Sequence, residues 1–195
     1  MKKPELVESH NPGSLENPWK TLNAKEIYEN PWIVLTEYDV INPAGNPGIY
    51  GVVHFKGRAV GVIPYQDGHI WMVGQYRYPL QSYSWEIPEG GSPGSEDLLD
   101  TAKRELLEET GLVAKEFKPL FRLHLSNSVT DEWGIIYLAT GLEQHEAEPE
   151  DTEDLKLMRL SLDEAYEWVE SGKITDSLTI TAIYKMKLLQ FEGKL

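Results

Sequence analysis

The chain has 195 residues, and 41% of them are hydrophobic, which is enough for one substantial core with at most a small appendage. Its formal net charge of -14 opposes non-specific binding to nucleic acid, because such binding depends on lysine and arginine. Cysteine is absent, which excludes disulfides, thiolate metal sites and a cysteine nucleophile.

The first residues of the given sequence do not have the pattern expected of a signal peptide. Residues 1–8 lack the apolar core of a signal peptide, and no run approaches the roughly 20 apolar residues of a membrane span. We therefore expect a cytoplasmic protein that binds neither a membrane nor nucleic acid. The prolines Pro4, Pro12 and Pro18 predict that the chain is extended or loosely ordered up to about residue 25.

Strand-like segments dominate the sequence from there to its middle. Two of them flank a turn rich in proline, glycine and asparagine over 42–48, which predicts a β-hairpin. A second tight turn is predicted over 66–68. The predicted strands cover 32–39, 49–55, 59–64, 69–76 and 84–88.

An amphipathic helix is predicted next, over 95–110, because apolar residues recur there near the helical period. Ser95 is the expected N-cap, and Gly111 is expected to end the helix in a left-handed conformation. The apolar stripe consists of Leu98, Leu99, Ala102, Leu106 and Leu107.

The last third of the sequence mixes strands and helices. Strands are predicted over 117–125 and 132–142, and the acidic run over 143–154 is expected to be a solvated loop. A helix with capping-box spacing is predicted over 161–172, and another over 177–190. The last helix is expected to bury Leu178, Ile180, Ile183, Tyr184 and Leu188. Strands before and after a helix, with helices at the end, favour an α/β sandwich.

Three carboxylates share one face of the 95–110 helix. Glu105, Glu108 and Glu109 stand at i, i+3 and i+4, where like charges repel each other. A cluster of hard oxygen ligands is what Mg²⁺ or Mn²⁺ requires, so the cluster predicts a metal site in which the cation offsets the repulsion. The alternative is that this acidic face is only solvated surface.

The segment over 90–112 fits, without a gap, the pattern G-x5-E-x7-R-E-U-x-E-E-x-G-U, where U is aliphatic. By this pattern the chain resembles the Nudix hydrolases, which cleave a nucleoside diphosphate linked to another moiety. The resemblance implies a Nudix-type α/β/α sandwich with a mixed sheet, formed by a catalytic domain over 58–195. It also implies a small N-terminal β-domain over 1–57 that serves dimerisation.

The same resemblance implies how the acidic cluster works. We expect Glu105, Glu109 and the backbone carbonyl of Glu89 to bind Mg²⁺, or else Mn²⁺, and Glu108 to act directly or through water. Arg104 is expected to orient Glu105 or its neighbours rather than to touch the substrate.

The segments upstream of the pattern narrow the resemblance. Residues 75–77 and 86–90 resemble the Q-Y-R and E-x-P-A-G segments of the ADP-ribose and nucleotide-sugar pyrophosphatases. By that likeness Arg77 binds the diphosphate, a task that suits a guanidinium group. Glu86 either helps to position substrate or water, or merely pairs with Arg77.

Two aromatic residues of the predicted hairpin resemble those that stack on the nucleobase in this subgroup. They are Trp32 and Tyr50, and their alternative role is ordinary packing on a strand. In the subgroup the N-terminal domain pairs two subunits, so a stacking role implies that the active form is a homodimer.

The segment over 126–132 resembles the S-P-G-x-T-x-E loop of typical ADP-ribose pyrophosphatases. Its terminal glutamate supplies a mobile catalytic carboxylate there, and Glu132 matches it. Asn127 and Ser128 replace the proline and glycine of that loop, which weakens strict ADP-ribose specificity. A broader hydrolase of nucleoside diphosphate sugars such as ADP-ribose, ADP-glucose and GDP-mannose is therefore expected.

Two alternatives stay open at this point. One is another Nudix specificity, for a dinucleoside polyphosphate, coenzyme A or a nucleoside triphosphate. The other is a sensor that binds a nucleotide sugar without cleaving it, although such proteins commonly lose a carboxylate of the pattern and this sequence retains them all.

Overall fold

The computed structural model of the chain describes residues 16–145 and 155–195. Within these ranges the strands are β1 (Lys20–Glu29), β2 (Ile33–Ile41), β3 (Pro47–Phe55), β4 (Gly57–Gln66), β5 (His69–Arg77), β6 (Ser82–Glu86), β7 (Glu89–Pro93), β8 (Leu112–His124), β9 (Trp133–Gln144) and β10 (Lys156–Ser161). The α-helices are α1 (Leu98–Thr110), α2 (Leu162–Glu170) and α3 (Ser177–Phe191).

The first three strands form an antiparallel sheet of their own, in the order β1-β2-β3. β2 and β3 are rich in isoleucine and valine, which favour strands. The turn between them is closed by Asn42, whose Oδ1 accepts the amide of Ala44 at 2.9 Å and that of Asn46 at 3.1 Å. The predicted hairpin is therefore confirmed, and β1 adds a third strand to it.

The other seven strands form a mixed sheet. Its order is β10-β5-β4-β9-β8, with β6 beside β5 and β7 beside β4. β4 pairs in parallel with β9 and antiparallel with β7. β4 therefore lies in the middle of the sheet and holds the glycine-rich strand β7 next to α1.

Helices cover both faces of this mixed sheet. Because side chains alternate along a strand, Val60 and Val62 of β4 face α1, while Ile63 faces α2 and α3. The core under α1 includes Val60, Val62, Ala102, Leu106, Leu112, Tyr137 and Ala139. The core under α2 and α3 includes Ile63, Ile70, Met72, Ile87, Ile136, Leu162, Ala165, Ile183 and Met186. This is the predicted α/β/α sandwich with a mixed sheet.

The start of α1 differs from the prediction. Asp97 is the N-cap in place of Ser95, and its Oδ1 accepts the amide of Leu99 at 2.9 Å. The chain makes one more turn before the helix because the amide of Glu96 donates to a backbone carbonyl three residues earlier. Gly111 ends the helix as predicted, with a φ of 68°.

The sequence predicted no strand at β1, β7 or β10. β1 is exposed along its whole length, so it carries no buried periodicity, and its pairing with β2 through the backbone keeps it extended. β7 contains two consecutive glycines, which are typical of a loop, yet it pairs with β4. These strands depend on the backbone of a neighbour, which the hydrophobic pattern does not reveal.

The predicted buried side of the last helix is partly wrong. Leu178 and Ile183 are buried and Ile180 is partly buried, but Tyr184 and Leu188 are exposed. α3 carries apolar residues almost all round, so its sequence does not single out one face. The side that packs consists of Leu178, Thr179, Ala182, Ile183, Met186 and Leu189.

The acidic run over 143–154 was predicted to be a loop. β9 includes its first two residues, and 146–154 lie outside the described residues. No helix in the described parts of the chain is long and apolar enough to cross a membrane.

Gly111 offers a test of how α1 ends. Its φ of 68° lies in the left-handed region, and its amide donates to the carbonyl of Leu107 at 2.8 Å. Gly111→Ala should lower the free energy of unfolding by about 1 kcal/mol, which corresponds to roughly 2–4 °C in thermal unfolding for a chain of this size. Gly48→Ala is the control, because a Cβ there meets nothing within 4 Å. An equal loss in both variants would contradict the capping role.

Candidate active site

A groove of about 1150 Å³ lies where β7, α1 and the loop between β8 and β9 meet. It is large enough to take a nucleotide-sized ligand. Charged side chains from five places in the chain line it, along with Trp32. These charged residues are Lys56, Arg58, Arg77, Glu89, Glu96, Arg104, Glu105, Glu108 and Glu132.

The closest packing in the groove joins β7 to α1. A Cβ placed on Gly90 would lie 2.1 Å from Oε1 of Glu105, so only glycine allows this carboxylate to lie against the strand. Glu109, one turn further along α1, accepts the amide of Glu89 through Oε2 at 3.0 Å. Glu105 and Glu109 are only 7% and 5% exposed. Two nearly buried carboxylates are thus fixed beside the backbone of β7, an arrangement that suits a hard cation.

Arg104 holds the acidic residues of this region together. Its Nη1 lies 2.8 Å from Oε1 of Glu105 and donates to Oε2 of Glu108 at 2.9 Å. Its Nε and Nη2 donate to the two oxygens of Glu96 at 3.3 and 3.2 Å. Hydrogen bonds from Arg104 and then from Thr101 lower the pKa of Glu96. Arg104 is therefore placed to orient carboxylates, as its predicted role requires, and that role stays a prediction.

A second group of charges surrounds Arg77 at the end of β5. Nε of Arg77 donates to both oxygens of Glu86 at 3.0 Å, and Nη2 donates to Oε1 of Glu89 at 3.0 Å. Glu86, Glu89 and Asp176 each offer a carboxylate oxygen, and these atoms all lie within 4.8 Å of one another. The guanidinium group supplies the positive charge that keeps these carboxylates together, and its own position is fixed in return.

The carboxyl group of Glu89 lies among the other acids of this second group. Burial, and after it the charges of Asp176 and Glu86, raise the pKa of its carboxyl group well above the usual value. Its Oε2 is buried and has no hydrogen-bond partner among the described residues. The side chain of Glu89 points to the Arg77 group while its amide donates to Glu109, so one residue joins the two charged clusters.

Glu132 lines the groove from the loop between β8 and β9. Burial, and to a lesser degree the charge of Asp131, raise the pKa of its carboxyl group. A carboxylate whose pKa is raised is a better proton acceptor than an ordinary surface glutamate. Its position and its chemistry therefore suit the predicted role in proton transfer.

The two aromatic candidates occupy different places. Trp32 is 72% exposed and lines the groove, as a base-stacking residue would. Tyr50 instead packs edge-on against Trp19 with ring centroids 5.4 Å apart, and its hydroxyl donates to the carbonyl of Ser128 at 2.7 Å. Within one chain the groove thus includes Trp32 and not Tyr50.

Sequence reasoning missed Asp176 and the role of Glu96. The spacing of Glu96 to Arg104 is a fixed part of the pattern and was the signal from which their pairing could have been found. Asp176 caps α3 by accepting the amide of Thr179 at 2.7 Å. A capping signal was available there, but only the packing of α3 against the sheet brings it near Arg77.

Comparison with known proteins agrees with this geometry. Residues 55–178 match the NUDIX domain, and residues 19–53 match the nucleoside diphosphate sugar hydrolase N-terminal domain. The chain is 33% identical over 171 residues to the methanol dehydrogenase activator of Bacillus methanolicus and, equally, to the ADP-ribose pyrophosphatase of Bacillus subtilis (strain 168). Each alignment covers 87% of this chain and 92% of the relative.

A solved structure extends the similarity to the whole fold. The crystal structure of an ADP compounds hydrolase superposes with a TM-score of 0.82 and 20% sequence identity, covering 94% of this chain and 100% of that one. This likeness shows the shared fold. The matches to the NUDIX domain and to the two Bacillus relatives go further: the chain belongs to the Nudix family and is an enzyme of the Nudix pyrophosphatase type.

Proposed function

We propose that this enzyme hydrolyses the diphosphate bond of nucleoside diphosphate sugars, with ADP-ribose as the first candidate, and releases a nucleoside monophosphate and a sugar phosphate. The contact between Gly90 and Glu105 carries the proposal, because it fixes buried carboxylates in a groove that also contains Arg77, Glu132 and Trp32. The ADP-ribose pyrophosphatase of Bacillus subtilis supports the choice of substrate. The match over 19–53 supports the wider class of nucleotide sugars.

Mg²⁺, or else Mn²⁺, is the cofactor that fits the donor atoms. Carboxylates of Glu105 and Glu109 and the backbone carbonyl of Glu89 would hold it, with Glu108 acting directly or through water. The absence of a Cβ on Gly90 leaves Glu105 room beside β7, which is the fit that the structure offers. When bound, such a cation neutralises the diphosphate and makes the attacking water more acidic.

Side chains of the protein bind the substrate, accept the proton and orient the carboxylates. Arg77, held by Glu86 and Glu89, binds an oxygen of the diphosphate. Glu132 takes the proton of the water that attacks phosphorus, and the bond from that phosphorus to the bridging oxygen breaks. Arg104 keeps Glu105 and Glu108 in place throughout.

The proposal also covers how the nucleobase is bound and how two subunits pair. Trp32 stacks on the base, since its indole is exposed at the edge of the groove. The sheet β1-β2-β3 and the residues beside it expose several large apolar side chains, and exposed apolar surface of this kind is typical of a site where proteins associate. They are Trp19, Leu22, Ile27, Tyr28, Ile49 and Tyr50. We infer that this surface pairs two copies of the chain and that Tyr50 serves the partner's groove or the interface.

The function is tested by identifying products. With Mg²⁺ present, ADP-ribose, ADP-glucose, GDP-mannose and UDP-glucose are each incubated with the protein, and the products are separated by chromatography. We expect a nucleoside monophosphate and a sugar phosphate from ADP-ribose and from at least one other sugar nucleotide. Glu109→Gln should lower the rate at least ~100-fold, since a metal ion at the phosphate stabilises the transition state by several kcal/mol.

The matched control for that variant is Glu143→Gln, an exposed glutamate on β9 outside the groove that pairs with Lys115. It should keep full activity. Cleavage of only dinucleoside polyphosphates, coenzyme A or nucleoside triphosphates would contradict the proposed substrate class. Full activity of Glu109→Gln would contradict the proposed role of Glu109 as a metal ligand. Binding of the four sugar nucleotides without release of products would indicate a sensor.

Sedimentation equilibrium tests the proposed dimer. The mass should be twice the 22.2 kDa of one chain. Ile49→Asp should shift it toward the monomer, because an unpaired charge in an apolar interface is costly. Leu188→Asp, an equivalent change on the exposed side of α3, should leave the mass unchanged. A monomeric wild-type protein would contradict the proposal.

A further inference from the structure

The loop between β8 and β9 is bonded to β3 of the N-terminal sheet. The amide of Val53 donates to the carbonyl of Val129 at 2.9 Å, and the amide of Asp131 donates to the carbonyl of Val53 at 3.3 Å. Val53 and Thr130 form a parallel bridge at this point. β3 thus acts as a neighbouring strand for the end of the loop, one or two residues before Glu132.

Side chains strengthen this attachment at Asp131. Oδ1 of Asp131 accepts the amide of Phe55 at 3.0 Å, and Oδ2 lies 2.6 Å from Nδ1 of His54. Because an ionised carboxylate only accepts hydrogen bonds, Nδ1 of His54 carries the proton that it donates. Nε2 of the same ring lies 2.9 Å from the hydroxyl of Tyr38 on β2. His54 is therefore held by its own sheet on one side and holds the loop on the other.

Asp131, the residue before Glu132, forms its hydrogen bonds with the N-terminal sheet and not with the rest of the loop. Inside the loop, Thr130 and Val129 donate their amides to the carbonyl of Ser126 at 3.0 and 3.2 Å, which closes a turn upstream. Glu132 itself makes two long contacts: its amide donates to the hydroxyl of Thr130 at 3.4 Å, and its carbonyl lies 3.3 Å from Nδ1 of His124. The residue after it, Trp133, is held by pairing with His124 at the start of β9. On the other side, the position of the Glu132 backbone depends on where Asp131 is anchored.

We propose that His54 and Asp131 are positioning residues, through which the N-terminal sheet sets the Glu132 carboxylate over the groove. This inference rests on the proposed role of Glu132 in proton transfer. The N-terminal sheet would then act within its own chain, in addition to pairing subunits. If β3 is displaced, Asp131 moves, and the adjacent carboxylate of Glu132 moves with it.

The pair between His54 and Asp131 does little for overall stability. Their side chains are 34% and 52% exposed, and contacts between such exposed polar groups contribute little to folding. Losing the pair should therefore leave the protein folded while the loop is set free. A change in turnover without a matching change in thermal unfolding is the signature that separates positioning from a general structural role.

A double-mutant cycle tests the proposal. Turnover is measured with Mg²⁺ and ADP-ribose, or with the fastest-cleaved sugar nucleotide of the product assay. Glu132→Gln should lower kcat by roughly 100-fold or more, as expected for a lost general base. His54→Ala and Asp131→Ala should each lower kcat by about 10-fold and change KM less than about 2-fold, because the groove itself is intact. Added to Glu132→Gln, either change should cost less than about 2-fold more, since all act through one carboxylate.

Two conservative variants and one control sharpen the result. His54→Asn, whose amide can take the place of Nδ1, should recover part of the kcat lost in His54→Ala. Asp131→Asn keeps an acceptor for the Phe55 amide, so it tests the contact with His54 even where the alanine variant is unstable. Asp39→Asn alters a side-chain contact with Asn23 on the same sheet but away from the loop, and should keep wild-type kcat.

The outcomes separate the inference from the function on which it rests. Wild-type kcat in Glu132→Gln contradicts the proposed role of Glu132 itself. A slow Glu132→Gln together with normal His54 and Asp131 variants contradicts the positioning role alone. Losses that multiply in the double variants also contradict it, because the residues would then act independently.

Discussion

The close approach of β7 to α1 is the constraint on which the site depends. Gly90 has no side chain, so the carboxylate of Glu105 can occupy the space where a Cβ would otherwise lie, 2.1 Å from Oε1. The antiparallel pairing of β7 with β4 holds Gly90 in place, and the packing of α1 on Val60 and Val62 holds Glu105. Sheet and helix thus converge on one point, and the acidic face of α1 lines the groove there.

Charge is arranged around this point in two linked groups. Arg104 joins Glu96, Glu105 and Glu108, and Arg77 joins Glu86 and Glu89. Each arginine faces more than one carboxylate, so the carboxylates around Arg104 outnumber its single positive charge. Like charges repel, so the diphosphate of a nucleotide sugar needs cations to enter this part of the groove with it. The proposed divalent metal would therefore serve substrate binding as well as catalysis.

The sequence best predicted those features that depend on residues close together in the chain. The spacing of Glu105, Glu108 and Glu109 follows from helical geometry alone, and Gly111 ends α1 as predicted. It was least informative where a strand forms by pairing its backbone with a distant neighbour, as in β1 and β7. It also did not show which face of α3 is buried, because that helix is apolar almost all round. For the same reason, the sequence did not reveal the contacts of Asp176 and His54. Both are ordinary in sequence, and only tertiary packing brings them to Arg77 and to Asp131.

The central claim is that the contact between Gly90 and Glu105 builds a divalent metal site, and calorimetric titration with Mn²⁺ tests it most directly. Gly90→Ala should weaken Mn²⁺ binding by about 10-fold or more, because the methyl group displaces the Glu105 carboxylate. Gly91→Ala, where a Cβ meets nothing within 4 Å, should bind Mn²⁺ as the wild-type protein does. Equal affinity in a folded Gly90→Ala variant and in the wild type would contradict the account.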